Sequence, residues 1–224
     1  LGYLRYRPVE ADTPLRQRHW FWHPNDEKSL KSLDELAETH LKTVGRGAQL
    51  VLGLAPDDRG LMPESDVLRL KEFGALLDDV YGKPLLNSNT ILHIVQPGIP
   101  AAGSQPLKDT SVLLDVDSTR QFAAPPSERS LDVIARFEKP LHFDRVLLRE
   151  WLGDGQTVAD YTVEAVTDPA NRSPRSEIAR GTTIGSKRIH VFPPIRATAL
   201  RLRIQNAIGP IRLRGLQVYD GSGR

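Results

Sequence analysis

Cysteine is absent from the 224 residues. Neither a disulfide framework nor thiolate chemistry is available, and the cellular compartment stays open, since proteins of oxidising and reducing compartments alike can lack it. No apolar run reaches the ~18–20 residues that would span a bilayer. A stretch of clustered Lys and Arg with interleaved aromatics is also missing. Charged residues are 26% of the chain and the formal net charge is only +2, which excludes a polycationic surface and argues against nucleic acid as a partner. The opening LGYLRYRPVE begins with Leu and has no signal-peptide shape, so the chain reads as though it starts inside a longer protein. Tryptophan is scarce, with three residues in all. Two of the three fall in RQRHWFWHP, residues 16–24, together with one Phe, two His and two Arg.

What is present changes character near residue 85. From Leu30 to Val44, apolar residues at 30, 33, 36, 37, 41 and 44 keep a helical period, and Gly45 and Gly47 stop it. AQLVLGLAP, 48–56, is a short apolar run between turn signals, the pattern of a strand buried on both faces. Pro63 stands where a helix can begin, and Val67, Leu70, Leu77 and Val80 mark its apolar face, with Phe73 and Gly74 beside it, up to Gly82 and Pro84. Helix, strand, loop and helix follow α/β logic, but one internal strand with two helices does not complete such a domain. After residue 88 come short β-branched segments separated by Gly, Pro, Asp and Asn: TILHIVQPG, TSVLLDVD, SLDVIARFEKPLHFDRVLLREWLG, VADYTVEAVTD, KRIHVFPPI, ATALRLRIQNA and IRLRGLQVYD. This spacing predicts an all-β sandwich. LRLRI at 200–204 alternates, with Leu inward and Arg outward. Residues 1–88 carry 12 Lys/Arg against 14 Asp/Glu and the remainder 18 against 14, so the positive excess belongs to the β part.

YRPVEADTPLRQRHWFWHPNDEKSLKSLDELAETHLKTVGRGAQLVLGLAPDDRGLMPESDVLRLKEF resembles the C-terminal part of the catalytic barrel of family 29 α-L-fucosidases, over roughly residues 6–82. That family carries a stretch like W-x-P-x-E-x-D-V-S-I-R-P-G-W-F-W-H, then S-V-G-R-N, L-L-L-N-V-P-P and D-x-x-G-L before a closing helix. LREWLGDGQTVADYTVEAV and IARGTTIGSKRIHVFPPIRATALRLRI resemble the discoidin-like sandwich that follows the barrel in many bacterial members. The resemblance implies an α/β barrel fragment, the C-terminal portion of a TIM-like barrel, over 1–88. An all-β sandwich of the discoidin or galactose-binding kind follows over 89–224.

It also implies a retaining exo-glycosidase that removes terminal α-L-fucose from an oligosaccharide or glycoconjugate. The family nucleophile lies in a W-[FVL]-D-G motif and the acid/base in a segment like G-N-E; neither occurs in these residues. The chain alone is therefore expected to be inactive, its catalytic half lying upstream, in a separate chain or removed. No cofactor and no membrane span are expected, and a periplasmic or secreted setting is favoured. The alternative is a non-catalytic carbohydrate-binding or structural module. A truncated barrel with exposed strand edges and a pocket-lining aromatic loop disfavours it.

By the same resemblance EADTPLRQRHWFWH runs along a late barrel strand and its C-terminal loop, placing Glu10, Arg16, Trp20 and His23 near the sugar. Fucose offers a C5 methyl and an apolar face that an indole can cover, and hydroxyls that Glu, His and Arg can bond. Competing readings remain open here: Phe21 and Trp22 as core packing, Arg16 or Arg18 as paired surface residues. A metal at His19 and His23 is disfavoured, since no carboxylate or Cys completes a ligand set. Two departures matter. RQRHW replaces R-P-G-W, and Gly53 stands where the family strand ends in Asn, leaving room at the mouth of the strand. In the β part, Trp151 reads as packing, and GTTIGSKRI lacks the phosphate-loop pattern.

Overall fold

The structure is a computed structural model that describes residues 8–17, 19–96, 106–116, 119–153, 155–167 and 175–222. Two compact units divide the chain, one ending at Lys83 and the other running from Pro84.

In the first unit, strand β1 (Glu10–Pro14) pairs in parallel with β2 (Gln49–Gly53), Glu10 opposite Gln49 and Pro14 opposite Gly53. Helix α1 (Leu33–Lys42) lies between them in sequence and α2 (Glu64–Tyr81) follows β2. Leu30, expected to open α1, stays outside it, because Ser32 supplies a stronger start. Its hydroxyl accepts from Glu35 N–H and the Glu35 carboxylate accepts from Ser32 N–H, closing a capping box. Gly47 then takes the left-handed conformation, φ 85°, that ends the following turn. Pro63 precedes the first turn of α2 and Gly82 ends it, as the residues predict. Phe73 packs with Leu15 and Leu36 at the centre of this unit's apolar cluster rather than beside it.

β2 departs from the expected strand buried on both faces. Leu52 packs on the helices, but Val51 is 38% exposed. Covering both faces of a strand requires layers on each side, and the described residues supply one.

The second unit is built on β3 (Ile91–Val95), the single turn α3 (Ser111–Leu114), β4 (Phe122–Ala123), β5 (Leu131–Glu150), β6 (Val158–Val166), β7 (Arg175–Gly181), β8 (Arg188–Ala207) and β9 (Arg212–Tyr219). All its pairings are antiparallel. The strands form one sheet in the order β4-β9-β5-β8-β6-β7, with β3 attached to β5. KRIHVFPPI and ATALRLRIQNA, separate segments by sequence, are one strand of 20 residues, β8. Its ladder to β5 shifts register between Arg136 and Leu141 and again between Phe143 and Arg145. Those lapses hold Pro140 on β5 and Pro193 and Pro194 on β8. Proline has no N–H to give a ladder, so it belongs where pairing lapses. Aromatic packing takes over there: the Phe143 ring meets Phe137 at 6.1 Å and Phe192 at 5.9 Å, both edge to face.

The expected fold class is therefore corrected. Among the described residues no barrel closes: β1 and β2 form a two-stranded parallel sheet, and the later strands form a single open sheet. The architecture is a mixed α/β fold with an open, unclosed β-sheet. The Leu-inward, Arg-outward reading of 200–204 also needs amendment. Leu200, Leu202 and Ile204 are buried as expected, but Arg201 is buried too. It pairs with Asp132 on β5 and, at 3.2 Å, with Glu164 on β6. An alternating pattern fixes the face of a residue, not whether neighbouring strands cover it.

Tyr161 on β6 lies fully buried with its hydroxyl 2.8 Å from His190 Nε2 on β8. Burial, then the nearby Arg188 cation, lowers the His190 pKa from 6.5 to about 4, and burial pushes Tyr161 up to about 12. The folded chain thus keeps His190 neutral where an unfolded chain takes up a proton, between pH 6.5 and about 4. Stability from this group is present above that window and is lost as pH falls through it. Measured by thermal unfolding across pH 4–7, His190→Gln flattens the acid side of the stability curve relative to wild type; an unchanged slope would contradict this assignment.

Candidate functional site

β1 and β2 run parallel, so both C-terminal ends point the same way, and each leads into a loop. In open α/β arrangements ligands collect at such ends. The loop after β1 is closed at its base by antiparallel backbone bonds: Gln17 N–H to Ser29 C=O at 2.7 Å and Lys31 N–H to Leu15 C=O at 3.0 Å. Leu15 N–H also donates to Gly53 C=O at 2.9 Å, joining the loop base to the end of β2. Asn25, at φ 59°, makes the tight reversal after Pro24.

Arg16 is the internal anchor. Its residue is 4% exposed, and Nη2 donates to Asp66 Oδ1 on the first turn of α2 at 2.5 Å. Nη1 donates to the Asp26 carbonyl on the far limb of the loop. Ser29 Oγ donates in turn to the Asp26 carboxylate at 2.5 Å, and Ser65 Oγ to Asp66 at 3.1 Å. Gln17 Nε2 donates to Glu35 at 2.8 Å, so the carboxylate that caps α1 also holds the loop. The Ser32 N–H, the largest contribution, and Gln17 Nε2 hold the Glu35 carboxyl below the usual carboxylate range, and the Arg59 guanidinium, with the N–H groups of Leu61 and Arg59, does the same for Asp57. Lys31 Nζ donates to Thr13 Oγ1 and to the carbonyls of Pro14 and Arg16, closing off the end of β1. Burial lowers the Lys31 pKa, against a raising pull from Glu35.

The tip that this framework carries is open. Trp20 is 54% exposed and Phe21 79%. Trp22 is half-buried and His23 exposed. The stretch 19–23 is not strand, so the rule that residues two apart share a face does not bind Trp20 to Trp22. The His19 and His23 rings lie 4.2 Å apart, tilted by 53°. Among the described residues no group of three potential metal ligands occurs. The Trp20 ring rests on the end of β2: a Cβ added to Gly53 would stand 3.1 Å from Cζ3 and 3.3 Å from Cε3.

Of the four residues that the resemblance placed at the sugar, the structure brings Arg16, Trp20 and His23 onto one loop. Arg16 is committed to Asp66 and Asp26. Glu10 begins β1, whereas the loop leaves its other end, about 13 Å away at ~3.3 Å per residue; it is exposed and stands apart from the group. Arg18 lies outside the described residues. Asp26 and Asp66 were not legible beforehand; the room at Gly53 was, though not the ring that fills it, and the S-x-x-E signature of Ser32 and Glu35 before an apolar run was passed over in favour of a start at Leu30. In the second unit Trp151 is half-buried, with the Arg212 guanidinium carbon 4.9 Å from its ring centroid. Glu150 beside it accepts from Thr157 N–H at 2.6 Å and Val158 N–H at 2.9 Å, a structural tie across the LREWLGDGQTV turn.

Comparison with known proteins finds similarity to proteins described as alpha-L-fucosidases. The family model described as alpha-L-fucosidase matches residues 2–83. A rice protein (Oryza sativa subsp. japonica) provisionally named alpha-L-fucosidase 1 is 28% identical over 202 residues, 89% of this chain and 37% of the relative. The fold of the chain matches solved alpha-L-fucosidase structures of glycoside hydrolase family 29. A provisionally assigned alpha-L-fucosidase from Bacteroides thetaiotaomicron superposes with TM-score 0.83 at 26% identity, over 96% of this chain and 45% of that one. A family 29 fucosidase from Ruminococcus gnavus, solved with fucose, shares the fold with TM-score 0.80 at 20% identity, over 95% of this chain and 41% of that one. The chain is thus similar in sequence and fold to proteins described as alpha-L-fucosidases, and it spans less than half the length of these relatives.

The Arg16–Asp66 pair yields a measurable consequence. Removing one partner of a buried pair leaves the other charge uncompensated, at a cost of about 3–5 kcal/mol. Asp66→Ala is expected to lower the unfolding free energy by that amount in urea denaturation, whereas Glu38→Ala, in an exposed pair with Lys42, changes it by less than about 1 kcal/mol. Equal effects would contradict the anchor.

Proposed function

We propose that this chain is the C-terminal part of an alpha-L-fucosidase, a retaining exo-glycosidase acting on terminal α-L-fucose of oligosaccharides or glycoconjugates. Its nucleophile and acid/base carboxylates come from residues other than these 224. The observation that carries the reading is the half-exposed Trp20 indole, held at the C-terminal ends of two parallel strands by a loop with a buried ionic anchor. A large aromatic surface facing solvent is costly unless it meets a ligand or partner.

In this reading the chain binds and orients, and the carboxylates it does not supply make and break the glycosidic bond. Trp20 covers the apolar face and C5 methyl of the sugar and excludes water there. His23, exposed on the same loop, bonds a sugar hydroxyl. Arg16 acts from beneath by fixing the loop. The relationship to fucosidases and the chemistry of an indole beside a 6-deoxy sugar support the assignment together.

The test is kinetic, in the enzyme that carries this chain with its catalytic carboxylates. Trp20→Ala is expected to lower kcat/KM for an aryl α-L-fucoside roughly 10- to 1000-fold, the equivalent of ~1.5–4 kcal/mol for one desolvated aromatic contact. The melting temperature changes little, because the indole is half-exposed in the chain. Trp22→Ala, at the half-buried neighbour, costs stability first. Near-wild-type kcat/KM in Trp20→Ala would overturn the assignment.

A further inference from the structure

Gly53 ends β2 at a place where its backbone needs no glycine. It is not among the glycines with positive φ, which among the described residues are Gly47, Gly60, Gly155 and Gly185. A strand position with ordinary backbone geometry favours a β-branched side chain, and glycine there weakens the strand. What the missing side chain provides is space, and the Trp20 ring fills it. An added Cβ would lie 3.1 Å from Trp20 Cζ3, 3.3 Å from Cε3 and 3.5 Å from Pro14 Cα. Distances of 3.1–3.3 Å are inside ordinary carbon contact, where attraction has turned to repulsion. The Pro14 side is backbone of the paired strand and cannot yield. The indole is half-exposed and can.

We propose that Gly53 is a positioning residue for sugar binding: its bare Cα lets the Trp20 indole lie flush on the ends of β1 and β2, and that seat sets the orientation of the aromatic wall presented to the sugar. The inference rests on the reading of Trp20 as a sugar-contacting residue and adds what determines its pose. Any side chain at 53 lifts the ring, because the ring is the only neighbour named above that is free to move. The lifted ring still exists and the unit still folds, so binding suffers while the machinery for bond cleavage does not. A substitution that also raises strand propensity separates the two effects most cleanly, since it leaves the strand no weaker.

The experiment uses Gly53→Ala and Gly53→Val, each alone and combined with Trp20→Ala, in the enzyme that carries this chain. Gly53→Val is expected to raise KM for an aryl α-L-fucoside about tenfold while kcat stays within about twofold, with Gly53→Ala intermediate. Melting temperatures hold or rise slightly. In the Trp20→Ala background, Gly53→Val produces no further change in KM, because the group it displaces is gone. An equal KM effect with and without the indole would overturn the proposal, as would an unchanged KM in Gly53→Val when Trp20→Ala raises it. Should Trp20→Ala leave kcat/KM intact, the reading of Trp20 itself fails. The seat is then judged by the indole N–H resonance of Trp20 in the 224-residue chain, identified by its loss in Trp20→Phe. A shifted signal in Gly53→Ala supports the contact, and an unmoved one refutes it.

Discussion

The buried contact between Arg16 and Asp66 governs what the first unit can present. A guanidinium withdrawn from water is tolerable only when its donors are met, and here they are met from two directions, by α2 and by the far limb of the loop at Asp26. One cation therefore fixes both the angle at which the loop leaves β1 and the point to which it returns. The backbone bonds at the base, from Leu15, Gln17 and Lys31, then follow from a geometry already set. A loop of that length without an anchor would sample many conformations, and an exposed indole at its tip would have no defined pose. The same ion pair that restrains the loop leaves its aromatic residues free to face outward.

The second unit solves a similar problem with strands instead of a loop. Its two long strands cross regions rich in proline where the ladder cannot be maintained, and edge-to-face phenylalanines hold the gap. Arg201, pinned between Asp132 and Glu164, joins three neighbouring strands, β5, β6 and β8, on the face away from Leu200 and Leu202. A charged residue next to apolar neighbours on one strand selects one register, since a slip of one residue would place it on the apolar face.

Local chemistry made part of this legible in the sequence. The end of α2 at Gly82, its start after Pro63 and the segment of β2 follow from signals that act over a few residues. What lay hidden depends on distant partners: Asp66 is 50 positions from Arg16, and nothing in either segment announces the other. β8 was read as two pieces because paired prolines ordinarily break a strand; here they coincide with a register lapse that tolerates them. The expectation of barrel architecture rested on resemblance. Closure depends on the number of strands that pair, and β1 and β2 pair only with each other among the described residues. At the candidate site the aromatic cluster was evident from composition, and Trp20 and His23 do share one loop. The separation of Glu10 was not evident, because a strand's direction decides which end carries a loop.

The central claim is that this loop holds Trp20 as the apolar wall for a fucosyl residue. The most direct measurement is a crystal structure, with L-fucose bound, of the enzyme that carries this chain. The account predicts the C5 methyl or apolar face of the sugar within about 4 Å of the Trp20 ring, ordinary contact distance for apolar groups, with Arg16 still paired to Asp66 beneath. Fucose seated with its nearest atoms on other residues, and the Trp20 ring left in solvent, would contradict it.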